Sequence, residues 1–110
     1  PHWRISPGNN RLIATVIRVR MRPHCQELLE KQLEALKQDD RFLFPGTVSR
    51  FIRGSEAHPE RIEIFLVWRS TAAPSKEDRE EHIRALQQEL NDVLDWNTAE
   101  YDHGPILLHA

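Results

Sequence analysis

An α+β domain, with its elements in the order β-α-β-β-α-β, is predicted by three features of this chain. Phe65-Leu66-Val67-Trp68 is apolar at consecutive positions and gives way at once to Arg69-Ser70, the pattern of a strand covered on both faces. Two segments, residues 23–37 and 75–95, repeat apolar side chains at helical spacing. Turn residues separate the remaining apolar runs, with Pro45-Gly46 before one strand and Gly54 to Pro59 after it.

Each element follows in order. Residues 1–11 are rich in Pro, Gly and Asn and read as an N-terminal extension, loosely ordered unless Trp3 finds a pocket; residues 12–110 form the domain. Over residues 12–20 the odd positions Ile13, Thr15, Ile17 and Val19 make one face, and Leu12, Ala14 and Val16 keep the other apolar until Arg18. Such a strand belongs in the middle of a sheet. Pro23 opens a helix in which Cys25, Leu28, Leu29, Leu33 and Leu36 recur through about Lys37, and Asp39-Asp40 ends it. Residues 47–53 alternate as a second strand, with Val48 and Ile52 set against Ser49 and Arg53. In the third strand Ile62, Ile64, Leu66 and Trp68 share one face, and Phe65 and Val67 the other. Ser75 with Asp78 three residues on is a capping box, after which Ile83, Leu86, Leu90, Val93 and Leu94 carry a helix to about Asp95. A last strand covers residues 98–103, and Gly104-Pro105 breaks it before residues 106–108.

This is the ferredoxin-like split arrangement, in which two helices pack on one face of a four-stranded antiparallel sheet. The first and third strands are apolar on their other side too, so the uncovered face implies a homodimer built sheet to sheet. With 110 residues and 12.9 kDa the chain is one domain of modest core, which association would stabilise.

Composition narrows the partners. The chain carries 15 basic and 17 acidic residues, net −2 with both signs interspersed, so it offers no basic field for nucleic acid or an anionic membrane. No apolar run has the length of a membrane span. The single cysteine, Cys25, forms no internal disulfide and fits a reducing compartment, so a cytoplasmic location is expected. The start Pro1-His2-Trp3-Arg4 has neither an initiator Met nor a signal-peptide core, consistent with a piece of a longer chain. Six histidines are scattered with no i,i+4 pair on a helix, no glycine-rich phosphate loop exists, and neither a metal nor any other cofactor is expected.

Phe44-Pro45-Gly46 opening the second strand, with a third strand ending in Val67-Trp68-Arg69-Ser70 and followed by a helix, resembles the antibiotic biosynthesis monooxygenase family of dimeric α/β barrels. The resemblance covers roughly residues 12–94. It implies a cofactor-independent monooxygenase that oxidises a small aromatic or phenolic substrate with O₂ in a pocket between sheet and helices. Its alternative is a non-catalytic dimeric barrel that binds a small apolar ligand or serves as a structural module. Oxidation of a phenol without flavin or metal needs an aromatic wall and a polar group that favours the deprotonated substrate. Trp68 supplies the wall. The phenol-oxidising members carry an amide four residues before that Trp, a position held here by Ile64. The haem-degrading branch is not supported, because Asn10 precedes the first strand and no Trp accompanies His82.

Three further residues are substrate-binding candidates. Gln32 falls within the apolar arc of the first helix, where it either points into a pocket or bonds to backbone at the helix edge. Arg79 projects along the apolar stripe of the second helix and either meets an anionic ligand or extends its head to solvent. His82 lies at the margin of that stripe, as a base or as a solvated rim residue. Glu63 and Arg69 are expected in ion pairs at the subunit seam, and Cys25 as a small core residue. No catalytic residue is assigned by sequence alone.

Overall fold

The computed structural model describes residues 4–5, 11–38 and 46–109. Its strands are β1 (Arg4–Ile5), β2 (Leu12–Met21), β3 (Thr47–Gly54), β4 (Arg61–Arg69), β5 (Leu94–Ile106) and β6 (Leu108–His109); its helices are α1 (Gln26–Lys37) and α2 (Lys76–Glu89). The main sheet has the order β3-β4-β2-β5, with every neighbouring pair antiparallel. That is the ferredoxin-like arrangement the sequence predicts.

Register explains the layers. Pairing Thr15 with Leu66, Ile17 with Ile64 and Val19 with Ile62 puts these side chains on one face. All six are at most 7% exposed and pack with Leu29 of α1 and Ile83 and Leu86 of α2. Trp68, at 1% exposure, closes this core at the end of β4. Gly46 lies beside it at φ 83°, and a Cβ there would come within 3.2 Å of the Ala72 carbonyl oxygen, so this turn requires glycine. Asp39-Asp40 and Phe44-Pro45, invoked above as a helix end and a turn, lie outside the described residues, as do Trp3 and Asn10.

The second helix is shorter than its apolar period suggests. It stops at Glu89, capped at Leu90, and Asn91-Asp92 turn the chain while Arg22 N–H donates to the Val93 carbonyl at 2.8 Å. Val93 and Leu94 are fully buried, but they reach the core from the turn and the start of β5, mimicking another helical turn. β5 likewise begins earlier than expected and runs through Gly104-Pro105. Its early part is irregular, with a register shift opposite Arg18 to Arg20 where Thr98 Oγ1 accepts from Arg20 N–H at 2.9 Å. Pro105 is tolerated because β5 is an edge strand, with only one side to pair. Within the extension, β1 pairs antiparallel with β6.

The opposite face of the sheet carries Ala14, Val16, Phe51, Phe65 and Val67. Phe51 and Phe65 stack with ring centroids 4.7 Å apart, and Phe51 is half exposed. Glu63 sits on this face yet is 4% exposed, held between Arg18 of β2, whose Nε donates to Oε2 at 2.9 Å, and Arg53 of β3. The Arg18 hydrogen bond and the charge of Arg53 hold the Glu63 carboxyl below its usual range against the opposing effect of burial. A depressed carboxyl contributes stability above its unfolded value of about 4.3, and that contribution is lost as pH falls through the lower folded value. Thermal melts should therefore show wild type leading Glu63→Gln at neutral pH, with the lead shrinking between about pH 5 and pH 3. A lead that stays constant over that range would show the pair to be energetically idle.

Candidate functional site

The capping box fixes where α2 begins, and with it which side chains face the sheet. Ser75 Oγ accepts from Asp78 N–H at 3.1 Å, and the helix then presents Arg79, Ile83 and Leu86 along one stripe. Ile83 and Leu86 are buried and Arg79 is half-buried over β5. Register brings His103 of β5 directly opposite Thr15 of β2.

These three side chains form a chain of contacts. Thr15 Oγ1 lies 2.6 Å from His103 Nδ1, and Arg79 Nη1 lies 3.2 Å from His103 Nε2. A guanidinium has donors only, so Nε2 must accept, which leaves the imidazole proton on Nδ1 and directs it to the Thr15 hydroxyl. Burial, reinforced by the Arg79 charge, pushes the His103 pKa down, and Asp102 opposes them. Their balance favours the neutral ring, with its basic lone pair on the Arg79 side. Thr15 is 2% exposed and shares its strand face with the buried Ile17 and Val19.

A cleft of about 460 Å³ opens between α2 and the sheet beside this chain. Arg79, Ile83, Gln87, Tyr101 and His103 line it, and Gln87 Nε2 donates to the Tyr101 hydroxyl at 2.5 Å. A second cleft of about 570 Å³ lies between α1, β3 and β4, with Leu33, Leu36, Ile52, Ile64, Leu66 and Leu86 in its wall. Its rim is charged through Glu30, Glu34, Lys37 and Arg50. The first cleft is suited to an ionisable polar group, the second to an aliphatic or aromatic body.

Of the four binding residues predicted from sequence, Arg79 alone lines one of these clefts. Trp68 is buried and borders neither, and its Nε1–H has no hydrogen-bond partner among the described residues. Gln32 is half-buried on α1, and its Oε1 is likewise without a partner among them. His82 is half-buried on α2 and outside the clefts. Cys25 stands at the N-cap of α1 and packs against the core. Among the described residues no cluster of His, Cys, Asp or Glu could hold a metal ion, and no helix is long and apolar enough to cross a membrane.

Thr15 and His103 are the residues sequence reasoning passed over. The signal for Thr15 was present, since it is the one polar side chain on the face made by Ile13, Ile17 and Val19. His103 alternates with Tyr101 on the helix-facing side of β5, but a strand read only to residue 103 leaves its pairing open.

No family model matches this chain, and no curated protein matches it in sequence. Solved structures do. Two that are similar to it bear the name "putative antibiotic biosynthesis monooxygenase". The one from Bordetella bronchiseptica has a TM-score of 0.65 at 11% identity, over 84% of this chain and 94% of that one. The one from Caulobacter crescentus has a TM-score of 0.61 at 12% identity, over 84% and 87%. A protein of unknown function from Nitrosomonas europaea is as similar, at 0.63 and 17% identity, over 91% and 93%. At such identities the likeness establishes the fold, and the chemistry has to come from the side chains.

Proposed function

We propose that this protein is a homodimeric, cofactor-independent monooxygenase that oxidises a small phenolic substrate with O₂ in the space between sheet and helices. The observation that carries the reading is Arg79, a cation turned from α2 toward a cleft of mostly polar residues that Ile83 and the Tyr101 ring also line. A phenolate is the species that reacts with O₂ without a metal or flavin, and a cleft offering a cation beside an aromatic ring favours that form. For an anthrone the ring methylene gives up two hydrogens and takes one oxygen atom of O₂ to become a carbonyl; the second oxygen leaves as water. Fold neighbours bearing the monooxygenase name support the reading at the level of architecture. Trp68, His82 and Gln32 line neither cleft, so in this reading they act from outside the site, Trp68 by packing at the end of β4.

Anthrones and hydroquinones incubated aerobically and anaerobically, with quinone absorbance followed, test it. Enzyme-dependent oxidation that requires O₂ is expected; a panel oxidised no faster than in buffer would refute the catalytic reading. One observation favours the non-catalytic alternative: the cleft between α1, β3 and β4 is walled by aliphatic side chains together with Phe51 and Phe65, as a site for a passive apolar ligand would be. Tight binding of apolar ligands without turnover would select it.

The homodimer forms through the open face of the sheet, where Val16, Phe65 and Val67 of the central strands are flanked by the half-exposed Phe51. Phe51→Asp places a charge in that seam and is expected to convert a dimer to monomer in sedimentation equilibrium at micromolar concentration. A wild-type monomer under the same conditions would eliminate the dimer.

A further inference from the structure

We propose that His103 is a general base which, with Arg79 and Thr15, forms a site for ionising the hydroxyl of a phenol or enol in the cleft between α2 and β5. The inference rests on the phenol-binding reading above and assigns the proton-accepting atom that reading lacks.

Geometry singles out that atom. Thr15 Oγ1, 2.6 Å from Nδ1 and almost wholly buried, occupies one nitrogen and fixes the ring's tautomer and plane. The other nitrogen, Nε2, accepts from Arg79 at 3.2 Å at the cleft, and it becomes the basic position for a ligand hydroxyl that displaces the guanidinium from this contact. A ligand hydroxyl entering between the two donates its hydrogen to Nε2 while its oxygen accepts from Arg79. Transfer moves one proton from the ligand oxygen to Nε2, and the O–H bonding pair stays on oxygen. The products are a phenolate and an imidazolium whose two N–H groups point at Thr15 Oγ1 and at the phenolate.

Electrostatics makes the base conditional on its ligand. The Arg79 charge by itself opposes protonation of His103. With a phenolate between them the order of charges becomes plus, minus, plus, and each neighbouring pair attracts. The remaining charged or titratable groups that line the cleft are Glu80 and Arg84 on α2 and Tyr101 and Asp102 on β5, with Asp102 favouring the protonated ring. Thr15 touches no reacting atom and acts as a positioning residue.

4-Nitrophenol, whose phenolate absorbs in the visible, is the probe. At a pH about one unit below the pKa of free nitrophenol, the wild type should hold it mostly as phenolate, and ¹⁵N NMR should show His103 passing from the Nδ1–H tautomer to imidazolium on binding. His103→Gln should lower the phenolate-to-phenol ratio of the bound ligand by about tenfold, one pKa unit. Thr15→Val should lose the single Nδ1–H tautomer in the ¹⁵N spectrum while nitrophenol still binds. Nitrophenol bound by wild type with His103 remaining neutral, or ionised equally in His103→Gln, overturns the proposal and leaves the phenol-binding reading standing. If wild type binds neither nitrophenol nor any anthrone or hydroquinone of the panel, the underlying reading fails, and this proposal with it.

Discussion

Trp68→Ala is expected to lower stability by about 3 to 5 kcal/mol. The ring is 1% exposed and closes the helix-facing end of β4 against the turn at Gly46, where a Cβ would lie 3.8 Å from its Cδ1. Truncation leaves a cavity that the neighbouring turn is poorly placed to fill, because Gly46 at φ 83° has no side chain to move in. Trp68→Phe separates packing from chemistry. It keeps most of the apolar volume and removes an indole N–H that has no partner among the described residues, so the loss of volume is partly offset by the removal of a desolvated donor. Chemical denaturation should place Trp68→Phe much nearer wild type than Trp68→Ala. If Trp68→Phe keeps its stability but loses ligand binding or turnover, the indole belongs to the site; unchanged binding makes Trp68 a core residue alone.

The same tryptophan shows what could be read in advance. Consecutive apolar residues on β4 announce burial on one face and a further apolar layer on the other, and both features are present in the sheet. The cap at Ser75 and the stripe of Arg79, Ile83 and Leu86 are local properties, fixed by spacing within one helix. Helix ends were less legible where apolar periodicity continues into a turn, as at Val93-Leu94, since burial alone does not distinguish the two.

The site was legible only in half. Arg79 could be placed because its neighbours are three or four residues away. Its contact with His103 joins a helix to a strand 24 residues on, and that of His103 with Thr15 depends on pairing between strand residues 88 apart in sequence. A one-residue slip of β5 would turn His103 to the opposite face, and no local pattern in an edge strand containing Gly104-Pro105 sets that register. Glu63 was read as an ion-pairing residue from its apolar surroundings, but its burial between Arg18 and Arg53 requires knowing that β2 and β3 flank β4.

Arg79→Gln is expected to weaken binding of an anionic aromatic ligand, such as 4-nitrophenolate, by about tenfold or more, matching the ~1.5 to 3 kcal/mol of a charged hydrogen bond. The guanidinium lies half-buried in the first turn of α2, where the helix dipole disfavours a cation, so an anion in the cleft relieves an unfavourable arrangement as well as filling a donor. A second consequence concerns His103. Its pKa is held down first by burial and then by Arg79, so glutamine at position 79 should let it rise toward the ordinary histidine value. A histidine depressed in the folded state costs stability as pH falls below its unfolded value of about 6.5, because the unfolded chain then binds more protons. Arg79→Gln should therefore lose less stability than wild type between about pH 7 and pH 5, while its melting temperature at pH 7 stays close to wild type. Ligand titrations and an NMR titration of His103 read the two effects separately. Unchanged affinity at low and moderate salt together with an unmoved histidine titration would make Arg79 a solvated surface group, whereas a shifted titration without lost affinity would keep its contact with His103 and remove it from the ligand.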